Sequence, residues 1–172
     1  VPRNMVTSLA WIPGTSTFAQ GSEDLRLRVW DCRTGSVVQT MVGYTYFPLC
    51  VDASDSLLVT GSKGFSGEGA EVRVWDTRRH NAPTHDFKGH QQDATACALF
   101  THGRVLSASK DQTLRIWDLE ESTSGSSTIV DVEDAGIYTG LAVSSGSVAA
   151  TTFQGTLVCL DSKLRQRTTR FS

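Results

Sequence analysis

Polar and apolar residues alternate along LRLRVW (Leu25–Trp30), so an extended chain puts Leu and Val on one side and arginines on the other. The apolar side is expected to face a neighbouring sheet and the arginines to face solvent. Runs of this β-patterned kind recur in groups of four, separated by turn residues. In the first group VTSLAW (Val6–Trp11) is followed by Pro13-Gly14, then TFAQGS (Thr17–Ser22), LRLRVW and SVVQTM (Ser36–Met41). The second group reads PLCVDA, LLVTGS, EVRVWD and THDF, and the third TACALF, VLSASK, TLRIWD and STIVDV. The fourth reads YTGLAV, VAATTF, TLVCLD and RQRTTR. Apolar residues at helical spacing extend nowhere over a useful length. The pattern predicts an all-β chain of short strands.

The groups are copies of one another. LRLRVWD ends at Asp31, EVRVWD at Asp76, TLRIWD at Asp118 and the degenerate TLVCLD at Asp161, in steps of 45, 42 and 43 residues. A fixed period of this size marks a repeat architecture in which no unit buries its apolar face alone, so neighbours must stack. The boundaries fall at 1–43, 44–88, 89–135 and 136–172.

The Trp-Asp closings, the Gly89-His90 pair and Asp111, six positions before Trp117, resemble the WD-repeat β-propeller family over essentially the whole chain. The resemblance implies four four-stranded blades. It also implies that His90, Ser107, Asp111 and Trp117 form a hydrogen-bonded relay inside the third blade. The chemistry suits this: Trp117 only donates, the Ser107 hydroxyl accepts and donates, and His90 bridges it to the acceptor Asp111. A Ser, a His and an Asp also evoke a hydrolase triad, and a propeller hydrolase is the remotest alternative. Ser107, however, sits mid-strand rather than on the sharp elbow that exposes a nucleophile. The first repeat keeps Asp24 six before Trp30 but has Gln20 at the serine position; the fourth has Leu160 for the tryptophan and Gln154 for the aspartate. These blades are expected to be held by packing alone and to open more easily than the third.

The second repeat departs differently. Its turn between second and third strands is the glycine-rich SKGFSGEGAE, residues 62–71. Closely spaced glycines can cradle a phosphate, but no Walker pattern is present and a strand follows rather than a helix. The loop reads as a surface insertion or as a partner-binding loop, with Lys63 and Glu68 flanking an exposed Phe65. Propeller geometry puts it on one face with Gln91, Gln92 and Lys110, and Glu23 is assigned to that loop face too. On the opposite face, Trp30-Asp31-Cys32-Arg33 and Trp75-Asp76-Thr77-Arg78 resemble the W-D-x-R motif of cullin-type ubiquitin-ligase substrate receptors, which makes Arg33 and Arg78 ligase-adaptor candidates. The strings PRNMVTSLAWIP, KGFSGEGAEVRVWD and FKGHQQDATACALF resemble cilia-associated members of the family. That likeness implies a non-enzymatic scaffold with intraflagellar transport or axonemal partners, in the cytoplasm and the cilium or flagellum.

Composition narrows the remaining choices. A net charge of −2 gives no basic surface for nucleic acid, and no stretch is long and apolar enough to span a bilayer. Cys32, Cys50, Cys97 and Cys159 share no C-x-x-C spacing and read as free thiols in a reduced compartment. No cofactor fingerprint or small-molecule site stands out, and His80 and His85 lack companions for a metal. Residues 119–128 read as a flexible Ser/Thr-rich loop, with a phosphosite as the alternative. Lys163, Arg165, Arg167 and Arg170 suit an exposed outer strand or a polyanion patch. Seven or eight blades are usual in the family, so the four are expected to form an open arc of a larger propeller, self-associating through the end blades when alone.

Overall fold

The computed structural model describes residues 4–79, 82–101, 103–120, 127–130, 132, 136–144, 146–161 and 163–165. Among these residues all regular structure is β. The first sheet joins β1 (Val6–Trp11), β2 (Thr17–Ser22), β3 (Arg26–Asp31) and β4 (Ser36–Met41) in sequence order. The second joins β5 (Pro48–Ser54), β6 (Leu57–Ser62), β9 (Val72–Asp76) and β10 (His85–Phe87), with a small hairpin, β7 (Gly64–Phe65) and β8 (Glu68–Gly69), set into its middle turn. The third runs β11 (Ala94–Phe100), β12 (Arg104–Ser109), β13 (Leu114–Asp118) and β14 (Ser127–Val130). The fourth holds β15 (Tyr138–Ser144), β16 (Ser147–Thr152) and β17 (Leu157–Leu160). Its predicted outermost strand falls largely on residues 166–172, outside the described residues.

The blades meet through their first strands, β1 against β5, β5 against β11 and β11 against β15. Each of these strands carries a bulge at the same place, where register slips past Thr7, Leu49, Thr95 and Thr139. A bulge leaves one residue unpaired and re-aims its side chain. Thr7 and Thr95 use that freedom to donate to the next blade, to the carbonyls of Pro48 and of Tyr138 (2.8 Å) respectively. Asp52 adds a further tie by accepting the Leu99 N–H at 2.8 Å.

Three apolar clusters fill the gaps between consecutive blades. Leu27, Val29 and Met41 meet Leu58 and Trp75; Val59, Val72 and Val74 meet Val105 and Trp117; Leu106, Leu114 and Val130 meet Tyr138, Val148 and Leu160. The closing residue of each blade thus plugs against the blade before it, and Leu160 fills in the fourth the place that Trp75 and Trp117 fill earlier. Trp30 has no described blade in front of it. It stacks instead on Phe18 at a centroid spacing of 6.4 Å, and Phe18 in turn on Trp11 at 6.5 Å, on the sheet face turned away from the second blade.

Two local expectations are corrected. Leu25 belongs to the turn, with φ of 63°, and β3 starts at Arg26. Arg28 is not a solvent-facing arginine but a half-buried one, hydrogen-bonded to both carboxylate oxygens of Asp24.

Candidate functional site

In the third blade the alternation of β12 and β13 turns Ser107 and Trp117 toward the same gap. The Trp117 indole N–H donates to Ser107 Oγ at 2.8 Å, and Ser107 Oγ lies 2.7 Å from His90 Nε2. His90 Nδ1 lies 3.0 Å from Asp111 Oδ2. An ionised carboxylate only accepts, which assigns the histidine proton to Nδ1 and leaves Nε2 to accept the serine hydroxyl proton. Burial opposes ionisation of Asp111, but hydrogen bonds from His90, Thr113 and the Gln91 N–H outweigh it and hold the carboxyl well below its usual range. Ser107 is fully buried with its hydroxyl engaged on both sides, so this set is no nucleophilic triad.

The relay ends where the partner-loop candidates begin. Asp111 Oδ2 accepts the Gln91 N–H at 2.9 Å, and the Gln91 carbonyl accepts the Gly67 N–H at 3.0 Å. Residues 62–71, expected to be a glycine-rich loop, form a two-stranded hairpin in which Gly64 pairs with Gly69 and Phe65 with Glu68. Ser66 and Gly67 at its tip have φ of 53° and 82°, the left-handed pair that a tight two-residue hairpin turn requires. Phe65 also bridges to Gln92, and the Gly64 N–H donates to Asp93 Oδ1 at 2.9 Å. Lys110 clamps the same aspartate at 2.7 Å. A Cβ on Gly64 would lie 2.3 Å from the Ala70 nitrogen, so the close approach of the hairpin strands needs glycine there. Lys63 folds over the Phe47 ring, 5.2 Å from its centre.

The hairpin is therefore tied to the loop ahead of the third blade, yet its Phe65 side chain is 76% exposed. Lys63, Phe65, Glu68, Gln91, Gln92 and Lys110 share one patch. Glu23 bonds within its own blade, its N–H and carboxylate both meeting the Met5 backbone.

The remaining candidates lie apart. Arg33 and Arg78 each fork onto the aspartate two residues earlier, with Nη2 3.0 Å from Asp31 and 2.8 Å from Asp76, and both are largely exposed. Side-chain and backbone hydrogen bonds from the arginines hold the carboxyls of Asp31 and Asp76 down to about 2. Arg78, Arg104, Leu57, Leu99 and Leu119 border a cleft of about 320 Å³ between the second and third blades. His85 stacks on Phe87 and bonds Thr84, whereas His80 lies outside the described residues. Among the described residues no His, Cys, Asp and Glu group is arranged to hold a metal ion. Of the Ser/Thr-rich segment 119–128, residues 121–126 lie outside the described residues, as do Arg167 and Arg170, whereas Ser127 and Thr128 belong to β14 rather than to a flexible loop. Lys163 and Arg165 fold back onto Asp161.

The other blades are not held by packing alone, which corrects that expectation. In the first, Gln20 Oε1 accepts the Trp30 indole N–H in place of a serine. In the fourth, Gln154 Oε1 accepts the Ile137 N–H at 3.1 Å. The second blade has an equivalent that the sequence reading missed: the Tyr44 hydroxyl meets Thr60 Oγ1 at 2.9 Å, and its ring lies against Trp75 at 5.7 Å. Arg73 covers the other side of Tyr44 at 5.1 Å while pairing with Asp86 at 3.1 Å. The signal was Gly43-Tyr44, one repeat before Gly89-His90, with Thr60 one repeat before Ser107.

Stacked four-stranded blades with a tryptophan relay define a propeller-type repeat protein. The family model "WD domain, G-beta repeat" matches residues 2–31 and 81–118, the second segment holding the whole relay of the third blade. "Nuclear distribution protein nudF 1" of Talaromyces marneffei is 32% identical over 123 residues, 68% of this chain and 26% of that protein. "WD repeat-containing protein 37" of Mus musculus is 28% identical over 131 residues, 74% of this chain and 25% of that protein. The chain thus spans about a quarter of the length of the curated relatives it matches. Among solved structures, a chain of the mitotic checkpoint complex superposes with a TM-score of 0.80 at 17% identity, covering 96% of this chain and 51% of that one. The computationally designed Ika4 protein superposes with a TM-score of 0.74 at 23% identity, covering 94% and 93%. The structural likenesses show the fold, and the sequence matches support the WD40 repeat family for this chain.

Proposed function

We propose that the chain is a non-enzymatic WD-repeat scaffold that docks a partner protein on the patch around Phe65. The observation that carries this is an aromatic side chain left in solvent at the tip of a hairpin whose backbone is held by Gln91, Gln92 and Asp93. A rigid loop with an exposed aromatic loses little conformational freedom on binding, which favours it as an anchor. The likeness of three sequence strings to cilia-associated family members favours an intraflagellar transport or axonemal partner, in the cytoplasm and cilium. Proximity labelling in ciliated cells, wild type against Phe65→Ala with Lys63→Ala, tests both parts. Loss of ciliary neighbours with an unchanged melting temperature supports the reading; an unchanged neighbour set overturns it.

The Trp11–Phe18–Trp30 stack, partly open to solvent at Phe18 and Trp30 and exposed at Trp11, supports a larger ring, because Trp75 and Trp117 occupy the place of Trp30 covered by a blade. We read the blades as an arc of a seven- or eight-bladed propeller. A second functional reading, a substrate receptor of a cullin-type ligase, draws on the two exposed Asp–Arg forks at equivalent places. Copurification of the ligase adaptor, lost in Arg33→Ala with Arg78→Ala, separates it from the first.

A further inference from the structure

Two cysteines, 47 residues apart, meet at the junction of the second and third blades. Cys50 follows the bulge of β5 and Cys97 lies mid-way along β11, the neighbouring first strand. Their sulfurs are 3.1 Å apart, and each thiol is otherwise aimed only at backbone carbonyls: Cys50 at Gly61 and Ala94, Cys97 at Val59. The pocket is closely fitted, since a Cβ on Gly61 would lie 2.8 Å from the Cys50 sulfur. Cys50 is half-buried and Cys97 buried, so reagent reaches the pair from the Cys50 side. Cys32 and Cys159 lie elsewhere, Cys32 beyond the end of β3 and Cys159 on β17.

We propose that Cys50 and Cys97 form an oxidation site that hydrogen peroxide converts to a disulfide joining the second and third blades. The sulfurs need to approach by about 1 Å to reach the bond length of about 2.05 Å. In the first step the Cys50 thiolate attacks one peroxide oxygen and the O–O bond breaks. The departing hydroxide takes a proton and leaves as water, and Cys50 becomes a sulfenic acid. In the second step the Cys97 sulfur attacks the Cys50 sulfur, forming S–S and breaking S–O. The released hydroxide takes the Cys97 proton, giving the second water. The two sulfurs together lose two electrons and the peroxide gains them. Burial and the neighbouring Cys50 raise the Cys97 thiol well above its usual range, which fits it to the second, resolving role.

The new bond closes a loop containing almost all of the second blade and the Phe65 hairpin. Fixing that loop in the unfolded chain raises stability. The inference does not depend on the partner proposed above.

The test uses the full chain with Cys32→Ser, which removes the exposed thiol and with it disulfides between copies. Mild peroxide is expected to lower the intact mass by about 2 Da and, in a digest made without reductant, to yield one Cys50–Cys97 linked peptide that is lost on adding a thiol reductant. The thermal midpoint is expected to rise by roughly 5–10 °C. Cys50→Ala and Cys97→Ala should each abolish the linked peptide and the rise, whereas Cys159→Ala should leave both. Should an alanine variant fail to fold, differential alkylation of the unmutated chain reads the same pair: both thiols must become protected together. Independent adducts on Cys50 and Cys97, or a peptide linking either to Cys159, overturns the proposal.

Discussion

The third and first blades perform the same task with different chemistry. In the third, three side chains, Ser107, His90 and Asp111, link a fully buried tryptophan to the loop that receives the hairpin. In the first, Gln20 alone reaches the Trp30 indole, and Asp24, the counterpart of Asp111, turns to Arg28. Both solutions satisfy the indole N–H, so these two blades meet the same need with an amide oxygen in one and a serine hydroxyl in the other. Only the third carries the chain of bonds onward to a neighbouring loop. The relay is therefore a means of fixing a surface as well as a device for stability.

Removing the tryptophans should separate the two blades most. Trp117→Ala empties a fully buried site and is expected to cost about 3–5 kcal/mol, from lost transfer and cavity energy together. Trp30→Ala should cost roughly half as much, because its ring has no described blade in front of it. Denaturant titration of both variants checks this; equal costs would mean that Trp30 is covered in solution, as it would be by a further blade or a second copy.

Breaking the relay at its acid end comes next. Asp111→Asn should cost about 1–3 kcal/mol at neutral pH by weakening the bonds from His90, Thr113 and Gln91. Since the folded state holds the Asp111 carboxyl below its unfolded value, it contributes stability above that unfolded value. The contribution is lost as pH falls through about 4 and below. The variant should lose stability less steeply than wild type over that acid range. A slope identical to wild type would detach Asp111 from the relay.

Smaller effects test whether the substitutes are equivalent. Gln20→Ala and Tyr44→Phe should each cost about 1 kcal/mol, since each removes one partner from a tryptophan-side network. Gln20→Ala should act on its own blade alone, with the hairpin amides unchanged in hydrogen exchange. Ser107→Ala should instead speed exchange at Gly64 and Gly67, because the relay positions the loop that accepts their N–H groups.

What could be read from the residues follows the range of the interactions. Alternation and turn residues marked the strands, and the blade order came from the period, because each blade is local in sequence. The third-blade relay was legible through Gly89-His90, Asp111 and Trp117, a spacing with few structural meanings. The hairpin was not, since its strands are only two residues each and its anchors, Gln91 to Asp93, come from another blade. Tyr44 and Gln20 were missed for a different reason. They fill their networks with other residue types, and a pattern of identities does not show a pattern of donors and acceptors. Cys50 and Cys97 carry no spacing motif, because only stacking of the blades brings them together.

The smallest expected effect concerns the one polar device that the first and second blades share. Arg33 and Arg78 make the same fork on Asp31 and Asp76, and each side chain is mostly in water. Solvent screening keeps such surface pairs weak, so Arg33→Ala and Arg78→Ala should each change stability less than any substitution above. Their clearer readout is local. The Asp31 and Asp76 carboxyls, held down to about 2, should move up toward the ordinary value of 3.8 when the guanidinium is removed. Carboxyl titration by NMR would follow both. The shifts should match in direction between the two blades, because the same arginine atoms make the same fork in each, unlike the tryptophan pair. A large shift in one blade and none in the other would mean that the blades differ at this end too, and that the fork is not a shared element of the repeat.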